Sequence, residues 1–279
     1  MYKVLKNKKI SPNSYLMEIK APLAIKNALP GQFVIVMAKE DSERIPLTIY
    51  DYDTNTGIIS VIYQVIGAST EELTTVKDEI FAIVGPLGRP NEICAHPEEY
   101  KDKRIVYVAG GVGIAPVYPQ LKYLTNKGFK IDVIYGSREK DLLLIRDRIE
   151  ELANKVEYAT DDGSYGIKGF VTDILKNSIT NYDVCVAIGP VIMMKNVCDL
   201  TKQYNVKTIV SMNPLMVDGS GMCGACRCEI EGKPKFACID GPEFDGHKVN
   251  FDLALKRMNI YKEEEKIKWE EMKELLKNK

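Results

Sequence analysis

Short apolar and β-branched runs dominate the first hundred residues. Tyr15–Lys20, Gln32–Ala38, Pro46–Tyr52, Ile58–Gln64 and Glu79–Val84 each suit a single strand. Turn-forming clusters separate them at Ser11-Pro12-Asn13, Pro30-Gly31, Asn55-Thr56-Gly57 and Gly85-Pro86-Leu87-Gly88. Closely spaced short strands of this kind predict a small antiparallel barrel or sandwich. One helix interrupts it. Ser69-Thr70 starts that helix, and Glu71 and Glu72 fall in its first turn, where carboxylates meet the positive end of the helix dipole.

From Arg104 the pattern changes. Apolar strands at Ile105–Ala109, Ile131–Tyr135, Val156–Ala159, Val184–Ile188 and Thr208–Val210 alternate with helix-length segments. The segments are Ala115–Thr125, Asp141–Leu152, Gly169–Leu175 and Ile192–Tyr204. Such alternation predicts a parallel sheet with helices on both faces. The charged stretch Glu98–Lys103 marks the join. A glycine- and cysteine-rich stretch then runs from Ser211 to about Gly246, with no internal repeat. The tail, Asn250–Lys279, is rich in Glu and Lys with Leu253, Leu255, Met258, Ile260, Trp269 and Leu275 interspersed. It predicts one or two helices, with Trp269 docked on the body or on a partner; a solvated, fraying tail is the alternative. The expected domains are 1–100, 101–211, 212–250 and a helical tail at 251–279.

Composition narrows the function classes. The 279 residues include 38 basic and 39 acidic side chains, net charge −1, so no global field exists to hold nucleic acid. The N-terminus lacks the apolar stretch of a signal peptide. The longest apolar runs, Ile105–Tyr118 and Val184–Met194, are broken by glycine and proline and are too short to span a bilayer. A soluble, cytoplasmic protein is expected. Of seven cysteines, Cys223, Cys226, Cys228 and Cys238 crowd into sixteen residues. An odd total in such a setting points to metal ligation before a disulfide framework. Cys94, Cys185 and Cys198 are isolated and read as small buried hydrophobes.

Three constellations carry chemistry. Gly110-Gly111-Val112-Gly113-Ile114-Ala115-Pro116 follows a strand and opens a helix, so its backbone can approach a diphosphate beside a helix N-terminus. Pro116 suits that first turn. Strand ends downstream, at Tyr135-Gly136-Ser137-Arg138, Thr160-Asp161-Asp162-Gly163 and Gly189-Pro190, should line the same crevice. The bare alternative is a structural glycine turn. In the barrel, Arg44-Ile45-Pro46-Leu47-Thr48 sits at a strand edge, followed by Ile62-Tyr63-Gln64 and Gly67-Ala68-Ser69-Thr70. An arginine fork plus amide and hydroxyl donors suits a second diphosphate, with Thr48 at a flavin ring edge. Ordinary strand and turn chemistry is the alternative.

The third runs Asp218-Gly219-Ser220-Gly221-Met222-Cys223-Gly224-Ala225-Cys226, with eleven residues before Cys238. With Asp218 in place of the first cysteine, this is the C-x4-C-x2-C…C spacing that wraps a [2Fe–2S] cluster. Glycines at 219, 221 and 224 free amides to point at sulfur. A zinc site of Cys223, Cys226, Cys228 and Cys238 is the alternative, but only one C-x2-C pair is present. Cys226 and Cys228 flank a single residue, so an extended segment would send them to opposite faces, and Cys228 is taken as the spectator.

R-x-P-L-T barrel, G-G-V-G-I-A-P nucleotide domain and C-terminal cysteine loop, in that order over about residues 1–250, resemble the ferredoxin–NADP reductase superfamily. More narrowly, they are similar to the group that holds the electron-transfer subunit of dihydroorotate dehydrogenase and the small subunit of NADH-dependent reduced ferredoxin:NADP oxidoreductase, also described as a sulfide dehydrogenase subunit. The resemblance implies a multidomain β plus α/β protein. It would have an antiparallel β-barrel flavin domain, a parallel-sheet Rossmann-like nucleotide domain and a small C-terminal [2Fe–2S] module.

The resemblance further implies FAD at Arg44, Pro46, Leu47, Thr48, Ile62, Tyr63, Gln64, Ser69 and Thr70. NAD(H) would lie at Gly110, Gly111, Val112, Gly113, Ile114, Ala115, Pro116, Gly136, Ser137, Arg138, Asp161, Asp162 and Gly163. The cluster ligands would be Cys223, Cys226, Cys238 and Asp218. Dihydroorotate dehydrogenase partners carry cysteine at this last position and the bifurcating small subunit carries aspartate. Asp218 therefore favours an oxidoreductase subunit of a bifurcating complex, whose partner is a larger flavoprotein with [4Fe–4S] clusters that reacts with NADP(H) and ferredoxin. The electron-transfer subunit of dihydroorotate dehydrogenase and a zinc-stapled, non-catalytic NAD-binding module remain the rivals. Hydride would pass between nicotinamide and flavin, so positioning matters more than acid–base pairs. The two histidines, His96 and His247, agree, for both lie in turn-like segments. Arg138 lacks a second basic residue beside it, which favours NAD over NADP; an ion pair with Asp141 or Glu139 is its plain reading.

Overall fold

The computed structural model describes residues 1–277. The first part of the chain gives β1 (Tyr2–Ser11), β2 (Ser14–Lys20), α1 (Pro22–Ile25), β3 (Phe33–Met37), β4 (Ile45–Asp53), β5 (Ile58–Gln64), α2 (Ala68–Thr74), β6 (Glu79–Ile80) and β7 (Ala82–Leu87). The strands form one antiparallel sheet in the order β6-β1-β2-β5-β4-β3-β7. Its two edges, β6 and β7, are successive pieces of chain separated only by Phe81, whose amide donates to the carbonyls of Met37 and Ala38. The sheet therefore curls until its edges meet. Alternate side chains turn inward, and Met17, Ile19, Val34, Val36, Ile49, Ile59 and Val61 fill the interior.

A connection follows, holding α3 (Glu92–Ala95), whose N-cap Asn91 accepts the Cys94 amide at 2.9 Å. Then come β8 (Ile105–Gly110), α4 (Ile114–Thr125), β9 (Ile131–Ser137), α5 (Arg146–Leu152), β10 (Lys155–Thr160), β11 (Ile167–Lys168), α6 (Val171–Ser178), β12 (Val184–Ile188), α7 (Val191–Gln203) and β13 (Lys207–Ser211). The last part gives β14 (Arg227–Ile230), β15 (Lys233–Phe236), β16 (Glu243–Asp245), α8 (Phe251–Met258) and α9 (Lys262–Lys277).

The second sheet runs β11-β10-β9-β8-β12-β13-β16, parallel except for β16, which pairs antiparallel to β13. Burial on both faces explains the unbroken apolar runs of its central strands. Along β8, Ile105, Tyr107 and Ala109 face one core with α4 and α5, while Val106 and Val108 face the other. That second core continues without a break into Phe33 and Ile35 of the barrel and into Cys226, Cys228, Ala237, Cys238 and Phe251. The cysteine-rich stretch is thus packed as part of the body. No helix among the described residues is long and apolar enough to cross a membrane.

Candidate functional site

The chain enters the parallel sheet at β8, builds β9 and β10 to one side, then crosses to β12 and β13 on the other. The order reverses between β8 and β12, and in open α/β sheets ligands bind beyond the carboxyl ends of strands at such a switch point. Gly110–Gly113 leave β8 there and Gly189-Pro190 leave β12. The two turns touch. A Cβ on Gly113 would stand 2.3 Å from the Ile188 carbonyl oxygen, and one on Gly110 would stand 2.5 Å from Met193 Sδ. At Gly113, where the neighbour is backbone, no larger residue fits without shifting the Ile188 turn.

A crevice of about 800 Å³ opens at this point, walled by both sheets. From the α/β side it takes Gly110, Gly111, Val112, Gly113, Ala115, Pro116, Gly136, Ser137, Arg138 and Asp161. From the barrel it takes Pro46, Leu47, Thr48, Ile62, Tyr63, Gln64 and Thr70. The sequence motifs of the two domains, forty and more residues apart, thus share one cavity. Asn13, Ser14, Ile66, Phe170, Thr172, Met193, Asn196, Ser211 and Asn213 also line it. They carry no motif, and only the packing of distant segments reveals them.

Five of the expected residues, Ile114, Asp162, Gly163, Ser69 and Arg44, do not line the crevice, and a sixth, Thr70, lines it but is already hydrogen-bonded. Ile114, the first residue of α4, is fully buried in the core. Asp162 accepts the amide and hydroxyl of Ser164 at 2.9 and 2.7 Å, bonds that hold its carboxyl below the usual range, and Gly163 completes that exposed turn. Ser69 Oγ donates to Glu43. Thr70 Oγ1 accepts the amides of Ile66 and Gly67, at 3.0 and 3.2 Å, and so shapes the entry to α2. Arg44 reaches away from the crevice. Its Nε donates to the Val217 carbonyl at 2.9 Å and its Nη2 to the Asp218 carbonyl at 3.3 Å, so the barrel arginine grips the cysteine loop. Arg138 lines the crevice and makes no salt bridge among the described residues, so the plain ion-pair reading is not what the structure shows.

The two domains are fastened beside the crevice. Tyr50 of β4 and Tyr118 of α4 lie 4.8 Å apart between ring centroids. Arg148 Nη1 donates to Tyr50 Oη at 2.9 Å. Burial pushes the Tyr50 hydroxyl up to about 12, against the opposing pull of Arg148, so it stays protonated at neutral pH. An ion pair of 2.8 Å joins Lys122 on α4 to Asp51 on β4.

The cysteine loop lies against the barrel. Gly219 approaches Ile35 and Leu87 so closely that a Cβ would meet either at 2.7 Å. Arg89 binds the Ile239 carbonyl at 3.2 Å through Nε. Gly219, Gly221 and Gly224 have φ of +76°, +84° and +68°, conformations that favour glycine. Cys226 and Cys238, each 2% exposed, bring their sulfurs to 3.2 Å, and the Cys238 amide donates to Cys226 Sγ at 3.4 Å. Cys223 is exposed at the rim.

Asp218 closes the loop as an Asx turn. Its carboxylate accepts the amides of Ser220 at 2.7 Å and Cys223 at 3.1 Å, which hold it below the usual range. Burial pushes the thiol of Cys238 up to about 12 and that of Cys228 up to about 11, so as free thiols both keep their protons at neutral pH. Cys228 lies on β14 paired with Lys235, with its sulfur turned to the Cys226 carbonyl. Among the described residues no three His, Cys, Asp or Glu side chains converge on a point. The Cys238 amide on Cys226 Sγ, with cysteines both deep and at the rim, suits an iron–sulfur cluster.

The comparisons agree with this geometry. Residues 213–250 match the family described as the iron–sulfur cluster binding domain of dihydroorotate dehydrogenase B, and residues 107–199 match the oxidoreductase NAD-binding domain. The chain is 48% identical to an uncharacterised protein of Clostridium beijerinckii over 272 residues, covering 95% of this chain and 92% of that one. It is 44% identical over 271 residues to a dihydroorotate dehydrogenase B (NAD(+)) electron transfer subunit homolog of Thermotoga maritima, covering 96% and 94%. A solved structure from work on flavin-based electron bifurcation by NADH-dependent reduced ferredoxin-NADP oxidoreductase superposes with a TM-score of 0.87 at 40% identity, covering 97% of both chains. The chain therefore belongs to the family of dihydroorotate dehydrogenase B electron-transfer subunits and their homologues, as an oxidoreductase subunit of the ferredoxin–NADP reductase fold with an NAD-binding domain and an iron–sulfur binding domain.

Proposed function

We propose that the chain is the NAD(H)-reacting subunit of an electron-bifurcating NADH-dependent reduced ferredoxin:NADP oxidoreductase, carrying FAD and a [2Fe–2S] cluster. A single observation carries the reading: Pro46–Thr48 and Gly110–Gly113 face each other across one crevice, while the cysteine loop packs on the same barrel. When bound, the flavin supplies exchange of a hydride with nicotinamide and release of electrons one at a time to the cluster.

The protein's part is placement. Gly110–Gly113 and the start of α4 take the dinucleotide phosphates. Thr48, which lines the crevice, would lie beside the flavin ring, and Thr70 shapes the entry to α2 next to it. Cys223, Cys226, Cys238 and Asp218 would hold the cluster, and the exposed Cys223 rim is where a larger flavoprotein with [4Fe–4S] clusters would approach. No acid–base pair is needed, and His247 is occupied, with Nε2 at 3.0 Å from Thr201 Oγ1.

A second reading, the electron-transfer subunit of a dihydroorotate dehydrogenase, is supported by relatives of that name at 34% identity over 251 residues; Asp218 at the first ligand position speaks for the bifurcating reading. Anaerobic purification of the native complex tests both. The expected result is flavin and [2Fe–2S] iron and sulfide on this chain, bleaching by NADH, and a large flavoprotein partner. A colourless chain, or one that NADH does not bleach, overturns the proposal, and co-purification with a dihydroorotate-oxidising enzyme selects the second reading.

A further inference from the structure

The C-terminal stretch of chain touches every other part of the molecule. Asn250 caps α8, accepting the Leu253 amide at 3.0 Å, and its Nδ2 donates to Glu229 on β14 at 2.7 Å. Asp252 pairs with Lys195 of α7 at 2.6 Å, and Phe251 inserts into the core that holds Cys226 and Cys238. One turn on, Arg257 Nη2 donates to the Ala225 carbonyl at 3.1 Å. Ala225 is the middle of the Cys223–Cys226 segment. The chain then crosses to the barrel, where α9 packs along α2. Trp269 Nε1 donates to Glu71 Oε2 of α2 at 3.0 Å, with the Lys273 ammonium 3.9 Å from the ring centroid.

A helix as rich in Glu and Lys as α9 has little reason to leave water. The protein's single tryptophan supplies one: a large apolar ring with a donor at its tip, half-buried and bonded to a carboxylate on another element. Arg257 supplies the matching hold at the other end, a permanently charged fork on a loop carbonyl. Between the two helices that carry these holds lie only Asn259, Ile260 and Tyr261, a short link that couples one end to the other.

We propose that residues 250–277 form a strap that positions both redox sites, with Trp269 holding the helix beside the flavin and Arg257 holding the cluster loop. The inference rests on the proposed function for the identity of those sites. Both residues act through other residues and are positioning residues. Arg257 also leaves a positive charge beside the cysteines, and a cluster that gains an electron is stabilised by it.

The test uses the full chain with four substitutions. R257Q should lower the midpoint potential of the cluster in an EPR titration with dithionite, and R257K, which keeps the charge, should restore it. W269A should weaken FAD retention in equilibrium dialysis by about tenfold, near the lower end of the worth of a hydrogen bond to a charged acceptor. W269F keeps the packing without the donor and should fall between. An R257Q potential equal to wild type, or W269A retention equal to wild type, overturns the strap. So does a parallel fall of melting temperature, FAD and cluster content in all four variants, which marks general loosening. Neither readout needs NADH, so a wild-type chain that binds both groups but is not reduced by NADH sinks the proposed function and leaves this test intact.

Discussion

Glu243, on the edge strand β16, is partly exposed as a residue, yet its carboxylate faces inward. It accepts from Asn91 Nδ2 at 2.6 Å and Gln120 Nε2 at 2.7 Å, both fully buried amides. Desolvation outweighs those bonds and raises its pKa from 4.5 to about 7. The folded protein therefore binds a proton that the unfolded chain has released, so this group's stabilisation is complete below about 4.5 and is lost as pH rises through about 7. At roughly 1.4 kcal/mol per pKa unit the span is up to about 3 kcal/mol. Denaturation at pH 5 and pH 8 should show it, and E243Q should flatten the difference; an unchanged pH slope would refute the assignment. No motif announces Glu243, because its partners lie more than a hundred positions away. Gly113 is the opposite case, visible in the sequence through the strand and helix around it. Gly113→Ala should push the Ile188 turn outward and raise the KM for NADH at least tenfold while FAD content stays unchanged, a split that steady-state kinetics with flavin quantitation reads.

At the scale of elements, strands between strong turn signals were easy to read, and those without them were not. β1 carries Lys3, Lys6, Lys8 and Lys9, so its alternation is hidden although Val4 turns fully inward. A continuous helix over Asp141–Leu152 is expected from composition, yet the backbone breaks at Ile145, with φ +48°, and only Arg146–Leu152 is α-helical. β16 is a three-residue strand whose existence depends on β13, and Arg44 binds a loop more than 170 residues away. Such long-range choices are set by packing, which local pattern does not record. The docking of α4 on β4 is one of them. Truncating Tyr118, which is 8% exposed between Tyr50 and Lys122, should cost about 3 kcal/mol by denaturant melting. It should also raise the KM for NADH, because α4 carries the glycine loop.

Taken as a whole, the molecule has one core on each face of its parallel sheet, and the cysteine loop belongs to the larger of them. Anaerobic chelation of iron should therefore do more than bleach the protein. Hydrogen exchange should speed up across 213–250, including β16, whose backbone pairs with the sheet through three residues of β13. The central strands β8, β9 and β12 should keep their protection, since their contacts do not pass through the loop. Uniform exchange in the iron-free and iron-loaded chains would show that the loop is held by protein contacts alone.

That short antiparallel cover has a cost when it lifts. β13 ends its sheet, and without β16 it would show solvent a row of unpaired amides and carbonyls along an apolar strand, the usual template for chain-to-chain pairing. The iron-depleted subunit should then be the aggregation-prone form, and loss of metal would lead to self-association before unfolding.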